Sequence, residues 1–318
     1  MEHFMSYGKL ALSYLPLLGS LVILALLLCM AGLPFLALVA QGLAHSRERG
    51  AYDKCARQLG NMACRLGIAA IVVGSVVLGM RSEDLWALDR QRLAAREHFP
   101  LVVMAVGWLC VVLSTVLHFV YVRTWQVLRT APRLHQLLGF FAALASAAAV
   151  YMALLYLYAH AADPVASDPA GVRAALVPDA EGFWKAVSYA PFAALALAGG
   201  YGALWLLLRR IADDYGRDHY NLVIPWCAAW ARDGWLLLWL LVTGRAGWRV
   251  FQLYSAAGGR LDWIRCAQDA AGLIVLLLPA LWWLGISRSA APLRAKIATP
   301  IAPLWATGCL LLLDMGLR

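Results

Sequence analysis

"LVILALLLCMAGLPFLALVA", residues 21–40, is a run of twenty residues without a single charge. At a rise of about 1.5 Å per helical residue it reaches about 30 Å, the thickness of the hydrocarbon core of a bilayer. A helix in a soluble protein keeps a polar face for water, and this one has none. The rest of the chain agrees with it. Of 318 residues, 63% are hydrophobic and 14% are charged, and the mean hydropathy is +0.69. Soluble globular chains do not have that balance.

Segments of similar length, counted between charged or Pro/Gly-rich breaks, fall at residues 10–43, 59–80, 100–122, 136–161, 187–208, 219–243, 267–286 and 300–316. The expected fold is therefore an all-α integral membrane protein with about eight transmembrane helices. The first segment overshoots the hydrocarbon, so it must tilt, bend near Pro34 or project past the membrane. It reads as a span and not as a cleaved signal, because its apolar region is far longer than the roughly 7–15 residues of a signal core. The long segments between spans, 81–99 and 163–186, lie on one side; "SEDLWALDRQRLAARE" within the first of them has the period of a surface docking helix.

The two halves resemble each other. "SYLP" (13–16) and "SYAP" (188–191) each open a long apolar helix, and "AYDKCARQLGNMACRLG" (51–67) matches "HYNLVIPWCAAWARDG" (219–234) with one gap. Tyr52 pairs with Tyr220, Asp53 with Asn221, Arg65 with Arg232 and Gly67 with Gly234. An even number of spans per half keeps both halves in one orientation. This gives two parallel four-helix repeats, residues 1–162 and 187–318, joined by an extramembrane loop at 163–186.

Arg65 and Arg232 then occupy equivalent places near the inner ends of the second and sixth spans. An arginine there can snorkel to the headgroups, or it can meet a haem propionate or a quinone carbonyl, with Asp233 as its partner or facing a polar cavity. Seven histidines are spread over both sides. His118 and His135, at the end of the third span and the start of the fourth, are at similar depth and are the pair able to ligate one haem iron. The seven cysteines show no CxxC or CxxCH spacing, so they read as small packing residues. Walker A, GxGxxG, HExxH and GxSxG patterns are all missing, which removes nucleotide, zinc-protease and hydrolase chemistry. The net charge of +9 sits in short loops and reads as topology and contact with anionic lipid, not nucleic-acid binding.

The long first helix, then "RERGAYDKCARQLGNMACRLGIAAIVVGSVVLG", then a third span ending "HFVYVRTWQVL", resembles the first four-helix unit of cytochrome bd-type oxidase subunit I and its divergent relatives. The likeness covers about residues 10–160. It implies a membrane subunit of a quinol- or cytochrome-linked redox complex, with haem b or quinone as cofactor, other subunits of that complex as partners, and a bacterial inner (cytoplasmic) membrane as location. The family's oxygen-reducing haem needs a histidine early in the first helix, which "SYLPLLGSL" lacks, and no glutamate lies within any span. The chain is thus expected to have lost oxygen reduction, and whether it is an enzyme stays open. The competing expectation is a non-redox polytopic protein, a transporter or an assembly scaffold.

Lys and Arg divide almost evenly, 13 on one side of the spans and 12 on the other, whereas the acids divide 5 to 12 when Asp269 and Asp314, near the ends of their spans, are counted with the second side. Together with the resemblance, this places both termini on the outer side. A reporter fused after Arg318 and active only in the cytoplasm is expected to stay silent; strong activity would reverse the orientation.

Overall fold

The computed structural model describes residues 2–80, 99–161, 181–256 and 263–315. The segment 81–98, with its expected docking helix, lies outside the described residues. Within them all regular structure is helical, with no strand: α1 (Glu2–Arg47), α2 (Gly50–Met80), α3 (Phe99–Arg123), α4 (Pro132–Ala161), α5 (Glu181–Asp213), α6 (Arg217–Ala256), α7 (Trp263–Ser287) and α8 (Ala298–Met315). Helices are the outcome that a hydrocarbon solvent demands, since each satisfies its own backbone hydrogen bonds. Six of the eight are long and apolar enough to cross a membrane. Among the described residues, α6, which carries Arg232 and Asp233 halfway along, and α8 are not in that group.

Local chemistry sets the breaks. Between α1 and α2 the chain reverses through Glu48 at φ 52°. Between α5 and α6 it turns through Asp214 at φ 39° and Gly216 at φ 84°, the left-handed region that glycine enters without steric cost. Pro132 opens α4 at the first helical position, where a missing N–H costs nothing. α1, at 46 residues, would extend about 69 Å and α6, at 40, about 60 Å, so both outlast the hydrocarbon. Pro34 does not interrupt α1.

The chain packs as two compact units. The first comprises Met1–Leu38 and Gly60–Ser188, and the second Val39–Leu59 and Tyr189–Arg318.

In the first unit, α3 packs along α4, and α2 meets α3 through glycines spaced by seven residues. A methyl on Gly60 would stand 3.1 Å from the Tyr121 ring, one on Gly74 2.7 Å from the Trp108 ring, and one on Gly67 would overlap Thr115 Oγ1. The partner numbers fall as the glycine numbers rise, so the two helices run antiparallel along a seam of small residues, the packing available where lipid gives no hydrophobic drive. Beyond the seam, Val103, Leu155 and Phe183 form a buried cluster joined by Tyr151 and Tyr158.

In the second unit, α5 and α6 approach backbone to backbone. A methyl on Gly199 would lie 2.6 Å from the Cys227 carbonyl oxygen and 2.6 Å from the Ala231 nitrogen; one on Gly234 would lie 2.9 Å from the Ala196 nitrogen. α7 is fastened to α6 by two indoles, Trp235 donating to the Leu276 carbonyl at 2.6 Å and Trp239 to the Leu273 carbonyl at 2.9 Å. The start of α2 belongs here too. Tyr52 meets Trp226 edge-on at 5.8 Å, while the Gln58 amide reaches the Tyr220 hydroxyl at 3.5 Å. The register that pairs Tyr52 with Tyr220 also pairs Gln58 with Trp226, so these two contacts exchange when the halves are interchanged. The paired glycines do not behave alike, Gly67 facing α3 and Gly234 facing α5.

Gly199→Ala should cost about 1–3 kcal/mol by overpacking, because backbone atoms cannot move aside as a side chain can. Its melting temperature in detergent should fall clearly below that of Gly244→Ala, which adds a methyl in open space. Equal melting temperatures would deny the close approach of α5 and α6.

Candidate functional site

In the first unit the polar groups of α3 and α4 gather on one line. Ser114 and His118 are one turn apart and so share a face of α3. Ser114 Oγ lies 2.5 Å from Ser146 Oγ of α4, which donates to its own Ala142 carbonyl at 2.8 Å. His118 is buried, 1% exposed, with Nδ1 2.6 Å from the Ser114 carbonyl oxygen and 3.2 Å from its hydroxyl. A nitrogen that close to a carbonyl oxygen must carry the proton, which fixes the tautomer and leaves a lone pair on Nε2. That Nε2 is buried and has no partner among the described residues. A neutral imidazole whose N–H is tied to a backbone carbonyl, with the opposite nitrogen vacant, has the geometry of a ligating histidine.

His135 is equally buried and differently used. Its Nε2 donates to the Tyr121 carbonyl at 2.8 Å, its ring stacks on Tyr121 at 4.2 Å, and its edge meets Trp125 at 4.7 Å. These contacts fasten the start of α4 to the end of α3. The two histidines expected as a haem pair therefore both sit inside the α3–α4 pair, but His118 alone offers a free Nε2. No group of three or more His, Cys, Asp and Glu able to hold a metal ion occurs among the described residues.

The arginines lie in different units. Arg65 is exposed on α2 in the first. In the second, Arg232 bonds its neighbour Asp233 at 2.7 Å and reaches Ser287 Oγ of α7 at 3.4 Å. The charged pair on α6 neutralises itself, and Arg232 also ties α6 to α7 through Ser287.

A second polar cluster joins the start of α2, the end of α5 and the start of α6. Gln58 donates from Nε2 to Asp213 Oδ2 at 2.7 Å and accepts at Oε1 from His219 Nε2 at 3.1 Å. Arg209 Nη2 holds the other Asp213 oxygen at 2.5 Å, and the Lys54 ammonium stands 4.9 Å over the Tyr215 ring. His219 Nδ1 is buried without a partner. In the first turn of α6, outside the six apolar spans, burial pushes the His219 imidazole down to about 4; Lys54 adds to the shift and Asp213 opposes it. The sequence reading did not single out Gln58, Asp213 or His219 as a group. Gln58 was the available signal, an uncharged but doubly hydrogen-bonding side chain on a helix that is otherwise apolar on its buried face.

Comparison with models of known protein families and with curated proteins returns no match.

His219 is kept neutral by the fold, whereas in the unfolded chain it titrates near 6.5. Its contribution to stability is therefore complete above about pH 6.5 and declines as the pH falls towards 4. The melting temperature in detergent should drop between pH 7.5 and pH 5, and His219→Gln should reduce that drop; an unchanged pH dependence would remove His219 as its source.

Proposed function

We propose that this chain is an integral membrane subunit of an electron-transfer complex, seated in a bacterial inner membrane, and that His118 supplies the nitrogen that meets its redox ligand. The observation that carries the reading is the buried Nε2 of His118, without a partner among the described residues, opposite an Nδ1 held by the Ser114 carbonyl. A buried acceptor left unsatisfied costs roughly 1–3 kcal/mol, a cost removed when an iron or a hydroxyl approaches it. Two redox ligands share that requirement, the iron of haem b and the hydroxyl of a quinol. Either supplies reversible electron transfer when bound; the protein's part is to hold one imidazole lone pair at a fixed place.

The residues around it act in supporting roles. Ser114 fixes the tautomer, and Ser146 locks Ser114 across to α4. His135 is a positioning residue that holds the Tyr121–Trp125 end of α3. The expected partners are the subunits that deliver and remove electrons, and the six apolar helices support a bilayer as the surrounding medium.

A second reading, a non-redox polytopic scaffold or transporter, draws on the cluster of Gln58, Asp213 and His219, whose hydrogen bonds tie helix ends together. One experiment separates them: a reduced-minus-oxidised spectrum, with organic extraction for quinone, on protein purified from native-type membranes. A b-type band, or quinone without a band, is expected, and His118→Ala should abolish it while the protein still elutes as one folded species. Colourless, quinone-free protein would contradict the redox reading and favour the scaffold.

A further inference from the structure

A cavity of about 200 Å³ lies among α1, α2, α3 and α4 within the first unit. Each of the four helices is long and apolar enough to cross a membrane, and no charged residue lines the space among the described residues. Ala70, Gly74, Gly107, Ala149 and Ala153 make the room, since each brings little or no side chain to it.

The position of the cavity along the helices decides what it takes. Its lining runs from Ala70 to Leu78 on α2, from Val103 to Val111 on α3 and from Ala149 to Leu157 on α4, eight residue steps in each case. At the helical rise that is a length of about 12 Å. Leu78, Val103 and Leu157 each stand one residue from a limit of their apolar span, at Gly79, Val102 and Tyr158. The cavity therefore begins at the boundary of the hydrocarbon and reaches most of the way through one leaflet, which is half of a core of about 30 Å. Leu157 is 45% exposed, so the shallow end borders the surrounding lipid.

Length and volume together select a chain over a ring. A dry apolar cavity of about 150 Å³ holds the six carbons of benzene, so this one holds about eight. With carbon–carbon bonds of about 1.5 Å, a straight chain advances roughly 1.3 Å per atom and needs about nine carbons to cover the length. The two counts agree for a single file of methylenes; a compact ring system of the same volume would leave part of the length empty and forfeit its contacts. At the hydrocarbon boundary a phospholipid presents a neutral ester and carries its phosphate farther out, which suits an uncharged mouth. A free fatty acid would set its carboxylate there.

We propose that the cavity is a binding site for one acyl chain of a phospholipid, held between the helices and distinct from the lipids that surround them. The site goes beyond the redox reading and stands without it, since it uses neither His118 nor any cofactor. Tails outside are as apolar as the cavity, so what holds the chain is fit and contact.

The test loads the full-length protein, stripped of lipid in a steroid-based detergent that brings no alkyl chain of its own, with dihexanoyl-, didecanoyl- or dioleoylphosphatidylcholine, and reads retained lipid by native mass spectrometry. One didecanoyl or dioleoyl lipid per chain should be retained, the two within about twofold of each other, because carbons beyond the ninth find no more cavity; the dihexanoyl lipid should be retained about tenfold less. Ala153→Phe and Ala70→Phe, which fill the cavity, should each lower retention at least fivefold, whereas Leu109→Phe, on an exposed face of α3, should leave it unchanged. No retained lipid, retention that keeps rising from ten to eighteen carbons, or equal retention in the filled variants would overturn the proposal, as would a native adduct with the mass of a free fatty acid. If the filled variants do not fold, the chain-length series on the unaltered protein decides alone.

Discussion

Lipid offers no hydrogen bonds, and nearly everything in this protein follows from that constraint. Backbones answer it by forming helices. Side chains answer it by bonding to carbonyls already spent in those helices: Thr115 to Val111, Ser146 to Ala142, Trp235 to Leu276 and Trp239 to Leu273. Charges answer it by pairing, as Arg232 does with Asp233. Against so consistent a background the exceptions carry information. His118 keeps a buried acceptor that no described residue meets.

The same constraint explains why packing rests on glycine and alanine. Apolar side chains gain little by leaving lipid for protein, so helices associate where small residues allow many close van der Waals contacts. Gly60, Gly67 and Gly74 give α2 such a face towards α3; Gly199 and Gly234 let α5 and α6 touch along their backbones. The cavity among α1 to α4 is the reverse of this. There the small residues are not met by a neighbour, and a space of about 200 Å³ remains.

What the sequence disclosed was what lipid imposes locally. Twenty uncharged residues at 21–40 can be read as a helix at membrane depth without knowing any neighbour, and several other helix cores were legible in a similar way. Helix ends were less so, because α1 and α6 continue beyond the hydrocarbon through residues that composition assigns to loops. The seven-residue glycine spacing in α2 was visible, but its partner on α3 was not, since apolar helices carry glycine for several reasons. His118 and His135 stood out by type and depth. Their difference in role depends on which carbonyl each ring finds, and that is fixed only in three dimensions. The bonds from Gln58 to Asp213 and His219 join residues over 150 positions apart, and no local pattern announces them. The repeat was legible only as a faint match between the halves, whose register exchanges the contact of Tyr52 with Trp226 for that of Tyr220 with Gln58.

Ligand binding at His118 turns on the state of one nitrogen. Solid-state ¹⁵N spectra of histidine-labelled protein in lipid, with His118→Gln to assign the signal, report directly which ring nitrogen carries the proton. The prediction is a neutral imidazole protonated at Nδ1, whose Nε2 signal shifts or broadens when the native redox ligand is retained. An Nε2 that carries the proton, or one whose signal is the same with and without ligand, would contradict the assignment of His118 as the ligand-facing residue.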